Sequence, residues 1–228
     1  MRLKDGHHPI IFMQCGPVRY RVDAKTQAAT RSFAHKVKLR ETGFRLRPDQ
    51  EAVAPLQMAA IYAALAQDER RNAMIFDDVL TSLEAGRRPV ILTERRDHLE
   101  HLRGRFEKFT RTLVVMYGGM SAGERRSAEA GLKRPDDEER LVLATGRYLG
   151  EGFDHASLDT LFLTMPISWK GTLAQYVGRL HREHHAKREV IVYDYVDSGV
   201  AMLARMALKR QTGYRSLGYD LMLEARSV

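Results

Sequence analysis

From residue 88 onward the chain repeats one pattern: a short, unbroken apolar run, then a stretch of helical periodicity, then another run. "RPVILT" (88–93), "TLVVMY" (112–117), "RLVLAT" (140–145), "LDTLFLTM" (158–165) and "REVIVYDYV" (188–196) are near-continuous in apolar residues. A strand with one wet face alternates; a strand that does not alternate is covered on both faces. Parallel strands also need long crossovers, which helices supply. The pattern predicts an α/β fold: an open, mostly parallel sheet flanked by helices. In such sheets ligands gather beyond the carboxyl ends of the strands.

Helices are expected over 55–66, 68–85, 121–132, 172–181 and 198–211, and one more around Leu99, Leu102, Phe106 and Phe109, which recur at helical spacing on one apolar face. Gly86 stands where a helix stop is expected, and Ser121 with Glu124 forms an S-x-x-E capping box. Upstream, "IIFM" (10–13) and "VRYRV" (18–22) read as short edge strands or a hairpin, and "HKVKLRET" (35–42) alternates like a half-exposed strand. Pro48 and Pro55 bracket a loop. The chain therefore divides into a small β-rich N-terminal extension, 1–50, and a main domain, 51–228.

Thirty-seven Lys and Arg against 29 Asp and Glu leave a net charge of +8, which favours polyanionic partners, nucleic acid above all, although a merely positive soluble surface fits equally well. Cys15 is the only cysteine, so no disulfide framework or cysteine-rich zinc site is expected; Cys15 itself reads as a small buried hydrophobe. The N-terminal apolar run is four residues, against the ~20 that a membrane helix needs. A soluble, cytoplasmic protein is the expectation.

Two segments concentrate the chemistry. "QYVGRLHR" (175–182) spaces Arg179 and Arg182 three residues apart, so on a helix they share a face. Guanidinium groups fork onto phosphate oxygens and stay charged at any cellular pH. An isolated R-x-x-R is usually a solvated basic face, but the upstream context counts for more here. "ATGRYLGEGFDH" (144–155) leaves the carboxyl end of a buried strand. Thr145 offers a hydroxyl and a backbone N–H to a phosphate, Gly150 and Gly152 allow close backbone approach, and Asp154 offers a carboxylate to a sugar hydroxyl. Trp169 reads as a packing residue, with stacking on a base as the alternative. His181, His184 and His185 lack the cysteines or carboxylates of a metal site, so "HREHH" reads as a solvated loop, as does "KRPDDEER" (133–140). No metal site is expected.

Thr145 to Asp154 resembles motif V, "AT…G.D", of superfamily 2 helicases and translocases, and Gln175 to Arg182 resembles their motif VI, "Q-x-x-G-R-x-x-R". "PVILTERRDHLEHL" (89–102) is similar to motif IV, and "MYGGMSAGERR" (116–126) to the segment after it. Their order is that of the second, C-terminal RecA-like domain of DEAD/DEAH-type helicases, over about residues 70–212; the opening "MRLKDGHHPI" resembles the chain just past motif III. Tyr176 replaces the arginine many relatives carry there, and Gln175 the histidine usual in the DEAD-box branch.

The resemblance implies a RecA-like fold and an ATP-dependent motor. Arg182 is implied as the arginine finger, with Arg179 on the same γ-phosphate and Gln175 sensing it; Gly178 and Gly152 line the nucleotide site and Asp154 meets its ribose or couples to the finger. Thr145, Gly146, Arg95 and Gly118 are implied to touch the nucleic-acid backbone, DNA or RNA. No G-x-x-x-x-G-K-[ST] loop and no D-E-x-[DH] box occurs in the sequence. ATP's phosphates and Mg²⁺ would thus be held mainly by a first RecA-like domain, and this chain is expected to be a fragment inactive alone. A non-catalytic nucleic-acid-binding module with a helicase-like fold is the alternative. An unrelated doubly wound enzyme is disfavoured, for want of a glycine-rich phosphate loop or a nucleophile elbow.

Overall fold

All five apolar runs form strands in the computed structural model, which describes residues 13, 31–47, 57–146, 155–167 and 170–224. They are β2 (Pro89–Thr93), β3 (Leu113–Met116), β4 (Leu141–Thr145), β5 (Thr160–Leu163) and β6 (Glu189–Val196). Every residue of β2 and β5 is buried, as unbroken apolarity requires of strands covered on both faces. Two further strands, β1 (Ala34–Glu41) and β7 (Asp220–Glu224), complete a seven-stranded sheet in the order β3-β4-β2-β5-β6-β1-β7. Every described pairing is parallel.

Among the described residues six helices carry the crossovers: α1 (Met58–Gln67), α2 (Glu69–Glu84), α3 (Arg96–Phe106), α4 (Ala122–Leu132), α5 (Lys170–Leu180) and α6 (Ala201–Ser216). Helix α2 starts where the Asp68 side chain accepts from the Arg71 N–H, and ends before Gly86, whose φ of 67° suits glycine. Ser121 and Glu124 make the full capping box of α4. Helices α1, α2 and α3 pack together against β2, β4 and β5; α5 and α6 pack together along β5, β6 and β7. A second apolar cluster, with Phe44, Ile61, Leu65, Met165 and Leu203, sits where α1 and α6 meet the segment after β1.

Four expectations change. Ala34–Glu41, assigned to an extension, is hydrogen-bonded between β6 and β7 inside the main sheet. Its alternation is real: His35, Val37 and Leu39 are buried, while Lys36 and Arg40 pair with Glu189 and Asp78. Phe109 lies beyond the end of α3, 59% exposed, its ring edge-on to Phe76. Helix α6 runs to Ser216, and its Gly213 is a close-packing position: a Cβ there would stand 2.9 Å from Leu173 Cδ2. Strand β7 has Leu223 86% exposed, and an edge strand with a bare side carries no buried signature in sequence. The strands expected over 10–13 and 18–22 lie outside the described residues, Met13 apart.

Among the described residues two ion pairs are sealed inside. Arg210 on α6 grips Asp194 on β6 through Nε and Nη2 at 2.8 Å each, and Arg71 on α2 meets Asp197 at 3.0 Å, with the Thr42 hydroxyl donating to the same carboxylate at 2.6 Å. Removing one partner of such a pair strands a buried charge. Asp194→Ala should therefore cost about 3–5 kcal/mol in urea unfolding, while replacing Asp194 and Arg210 together by Leu and Met should recover most of that loss.

Candidate functional site

Because the sheet is parallel, every loop that leaves a strand emerges at one edge and every loop that enters one emerges at the other. At the carboxyl edge Thr145 lies beside Thr93 in register, and Ala144 beside Met116. Three of the expected residues follow these strand ends directly: Gly146 after β4, Arg95 after β2 and Gly118 after β3. Thr145, Gly146, Arg95 and Gly118 thus share one edge.

Arg95 is held by Asp97, Nε to Oδ1 at 2.8 Å, and that bond depresses the Asp97 pKa. Gly118 is exposed, and a side chain there would meet nothing within 4 Å. The Arg96 guanidinium lies over the Tyr117 ring. Beneath the edge His98 is fully buried, its Nδ1 3.0 Å from Thr93 Oγ1 and its Nε2 3.0 Å from Asn72 Oδ1. These contacts tie β2 to α2 and α3, and burial pushes the His98 pKa down to about 3.

The end of α5 lies toward the opposite edge, where His181 packs on Tyr219 and His35 at the starts of β7 and β1. Helix α5 leaves the carboxyl end of β5 and runs back toward the start of β6. Leu173, Tyr176, Val177 and Leu180 form its buried stripe. Gln175 and Gly178 are exposed and Arg179 half-buried on the other side. Nothing lies within 4 Å of a Cβ built on Gly178, so packing within the chain does not demand glycine in this helix.

Arg182 is exposed, in the turn two residues beyond α5. The helical face expected to carry both arginines therefore stops at Arg179. The buried Lys187 explains the stop: its Nζ donates to the carbonyls of Leu180 and Arg182, at 2.8 Å each, and so completes the helix end. Burial lowers the Lys187 pKa to about 8.

The "HREHH" segment is not the solvated loop its composition suggested. His181 Nε2 lies 2.7 Å from the Tyr219 hydroxyl, its ring edge-on to His35, and His184 Nε2 lies 3.0 Å from Asp136 Oδ2. Burial, then the charges of Arg31, His35 and Lys187, lower the His181 pKa to about 3. Nor is "KRPDDEER" wholly solvated: Arg140 is buried and donates to three backbone carbonyls, those of Gly131, Leu132 and Arg134. No cluster of three His, Cys, Asp or Glu side chains that could hold a metal occurs among the described residues, and none of their helices is long and apolar enough to cross a membrane. Gly150, Gly152, Asp154, Trp169 and Cys15 lie outside those residues.

Two further side chains pack behind Gly146. Tyr176 Oη donates to Glu94 Oε1 at 3.0 Å, and both crowd Gly146, where an added methyl would overlap them. Burial raises the Glu94 pKa, partly offset by the Tyr176 hydrogen bond. The substitution at Tyr176 was visible in sequence; its partner, 82 positions away, was not.

Residues 71–184 match the family described as helicase conserved C-terminal domain. Uncharacterized protein 108L of Invertebrate iridescent virus 3 is 32% identical over 101 residues, which cover 44% of this chain and 92% of that protein. Transcript termination protein A18 of Vaccinia virus (strain Ankara) is 28% identical over 121 residues, 52% of this chain but only 24% of that longer protein. Among solved structures, a variant of S. cerevisiae Dbp5 bound to RNA and ADP BeF3 superposes with a TM-score of 0.59 at 10% identity, over 97% of this chain and 49% of that one. At that identity the likeness is one of fold.

An exposed helical glycine without a packing role should be improvable. Gly178→Ala is expected to stabilise the isolated chain by roughly 0.5–1 kcal/mol in thermal or urea unfolding. His98 gives a pH signature. The unfolded chain takes up a proton there below its ordinary 6.5, the folded chain only near 3, so stability falls as pH drops through that window. In urea titrations across it, His98→Gln should flatten the decline.

Proposed function

The chain belongs to the helicase conserved C-terminal domain family, a RecA-like domain of superfamily 2 helicases, and from that premise we propose that it is the second motor domain of an ATP-driven nucleic-acid helicase or translocase. The observation that carries the reading is the division of the candidate residues between two sheet edges. Toward the amino edge Arg179 and Arg182 follow a bare helical glycine, and a polyanion can be gripped there while a strand is held at the carboxyl edge.

In this reading a first RecA-like domain binds most of ATP and its Mg²⁺. ATP supplies a phosphoanhydride whose transferring phosphoryl group spreads negative charge over its oxygens. Two guanidinium groups beside an exposed amide, Gln175, suit that charge. Arg182 acts as the finger, Arg179 supports it, Gln175 reports the γ-phosphate, and Gly178 lets the partner domain approach α5; Asp154 and Gly152 belong to the same nucleotide contact. At the other edge Thr145, Gly146, Gly118 and Arg95 hold the nucleic-acid backbone without reading bases. Closing the cleft between domains then couples hydrolysis to movement along the strand. The RNA and ADP BeF3 bound by Dbp5 and the transcript-termination name of A18 agree with these ligand classes.

The alternative, a binding module without catalysis, draws on protein 108L, 92% of which is matched by a segment of this chain. One substitution separates the two. With the chain joined to a matching first motor domain, Arg182→Ala should lower ATP turnover by about three to five decades and leave nucleic-acid binding intact. Unchanged turnover would reject the motor reading. Binding of a single strand by the chain alone should weaken linearly in log affinity against log salt, by roughly 0.7 per phosphate contacted.

A further inference from the structure

The residues proposed for the two edges touch different ligands, and α5 is the element that reaches from one edge toward the other. One contact joins α5 to the carboxyl edge. Gly146, at the strand-binding edge, is packed so closely on Tyr176 Oη and the Glu94 carboxyl that an added Cβ would stand 2.8 Å from Glu94 Cδ and nearer still to the two oxygens. Tyr176 is only 5% exposed and belongs to the buried stripe of α5, so its ring cannot give way without moving the helix. The far end of α5 is equally constrained, with Lys187 bonded to Leu180 and Arg182 in the turn that carries Arg182.

We propose that Tyr176, braced by Glu94, is a positioning residue that transmits nucleic-acid occupancy at Thr145–Gly146 along α5 to the Arg182 turn. The inference rests on the motor reading and adds to it a specific link. A packed helix moves nearly as a unit, and Gly146 leaves room for no more than a hydrogen between its Cα and the two oxygens. The Tyr176–Glu94 hydrogen bond keeps both oxygens against the glycine; without it Glu94 can swing to solvent and the contact loosens. Tyr176 touches neither nucleotide nor strand in this scheme, so its loss leaves each binding edge whole.

The 228-residue chain itself is sufficient for the test. A labelled single-stranded DNA or RNA oligonucleotide is titrated by fluorescence anisotropy, and amide hydrogen exchange is followed with and without it. In the wild type, oligonucleotide binding should change exchange in the Leu180–Lys187 turn by on the order of fivefold, the low end of measured couplings. Tyr176→Phe and Glu94→Gln should keep the oligonucleotide affinity and lose that remote response. A merely structural role would shift affinity and melting temperature together and spare the response. The proposal is overturned if the wild-type turn does not respond, or if both variants transmit as the wild type does. A chain that binds neither oligonucleotide overturns the motor reading and takes the link with it, a result distinct from binding without transmission.

Discussion

The structure depends on one constraint: a parallel sheet buried on both faces. Each strand can be followed by a parallel neighbour only if the chain returns across a face, and a helix does so while satisfying its own backbone groups. Every exit loop then lies at the carboxyl edge and every entry turn at the amino edge. The candidate chemistry inherits that division. Thr145, Gly146, Arg95 and Gly118 share one edge because β3, β4 and β2 are neighbours, although the sequence separates them by up to 51 positions. Arg182 is carried to the other edge because α5 runs the length of the strands in reverse.

Such a sheet must still be anchored to its helices, and here buried ions do part of that work. Asp194 and Asp197, at the end of β6 and just beyond it, bind Arg210 of α6 and Arg71 of α2. Pairs of this kind gain little net stability over apolar replacements, but they admit one partner in one orientation. Apolar stripes fix that a helix packs; these pairs help fix where along the strand it does. His98, neutral between Thr93 and Asn72, serves the same end for α2 and α3.

Much of this was legible in the residues. Strands β2 to β6 were visible as apolar runs, the start of α4 in Ser121 and Glu124, and the end of α2 in Gly86. The rest failed for identifiable reasons. The last helix was expected to end near 211, yet it runs to Ser216, and Gly213 in that last stretch packs closely against Leu173 of α5. Phe109 continues a helical spacing on paper, but α3 has ended and the ring rests on Phe76. The β1 segment reads as part of an extension because its partners, β6 and β7, lie near the other end of the chain. The histidines after α5 looked solvated because their partners, Tyr219, His35 and Asp136, lie 38 residues or more away.

Sequence alone determined the fold class, the order of strands and helices along the chain, and the residue types available for phosphate and backbone contacts. Those follow from local periodicity and from short motifs, which the chain expresses without knowing its neighbours. Only the tertiary structure decided which edge each residue reaches, that Arg182 leaves the helix under the hold of Lys187, and that Gly146, Glu94 and Tyr176 converge. Strand order and side-chain crowding arise from contacts between distant segments, and no local pattern encodes a distance between them.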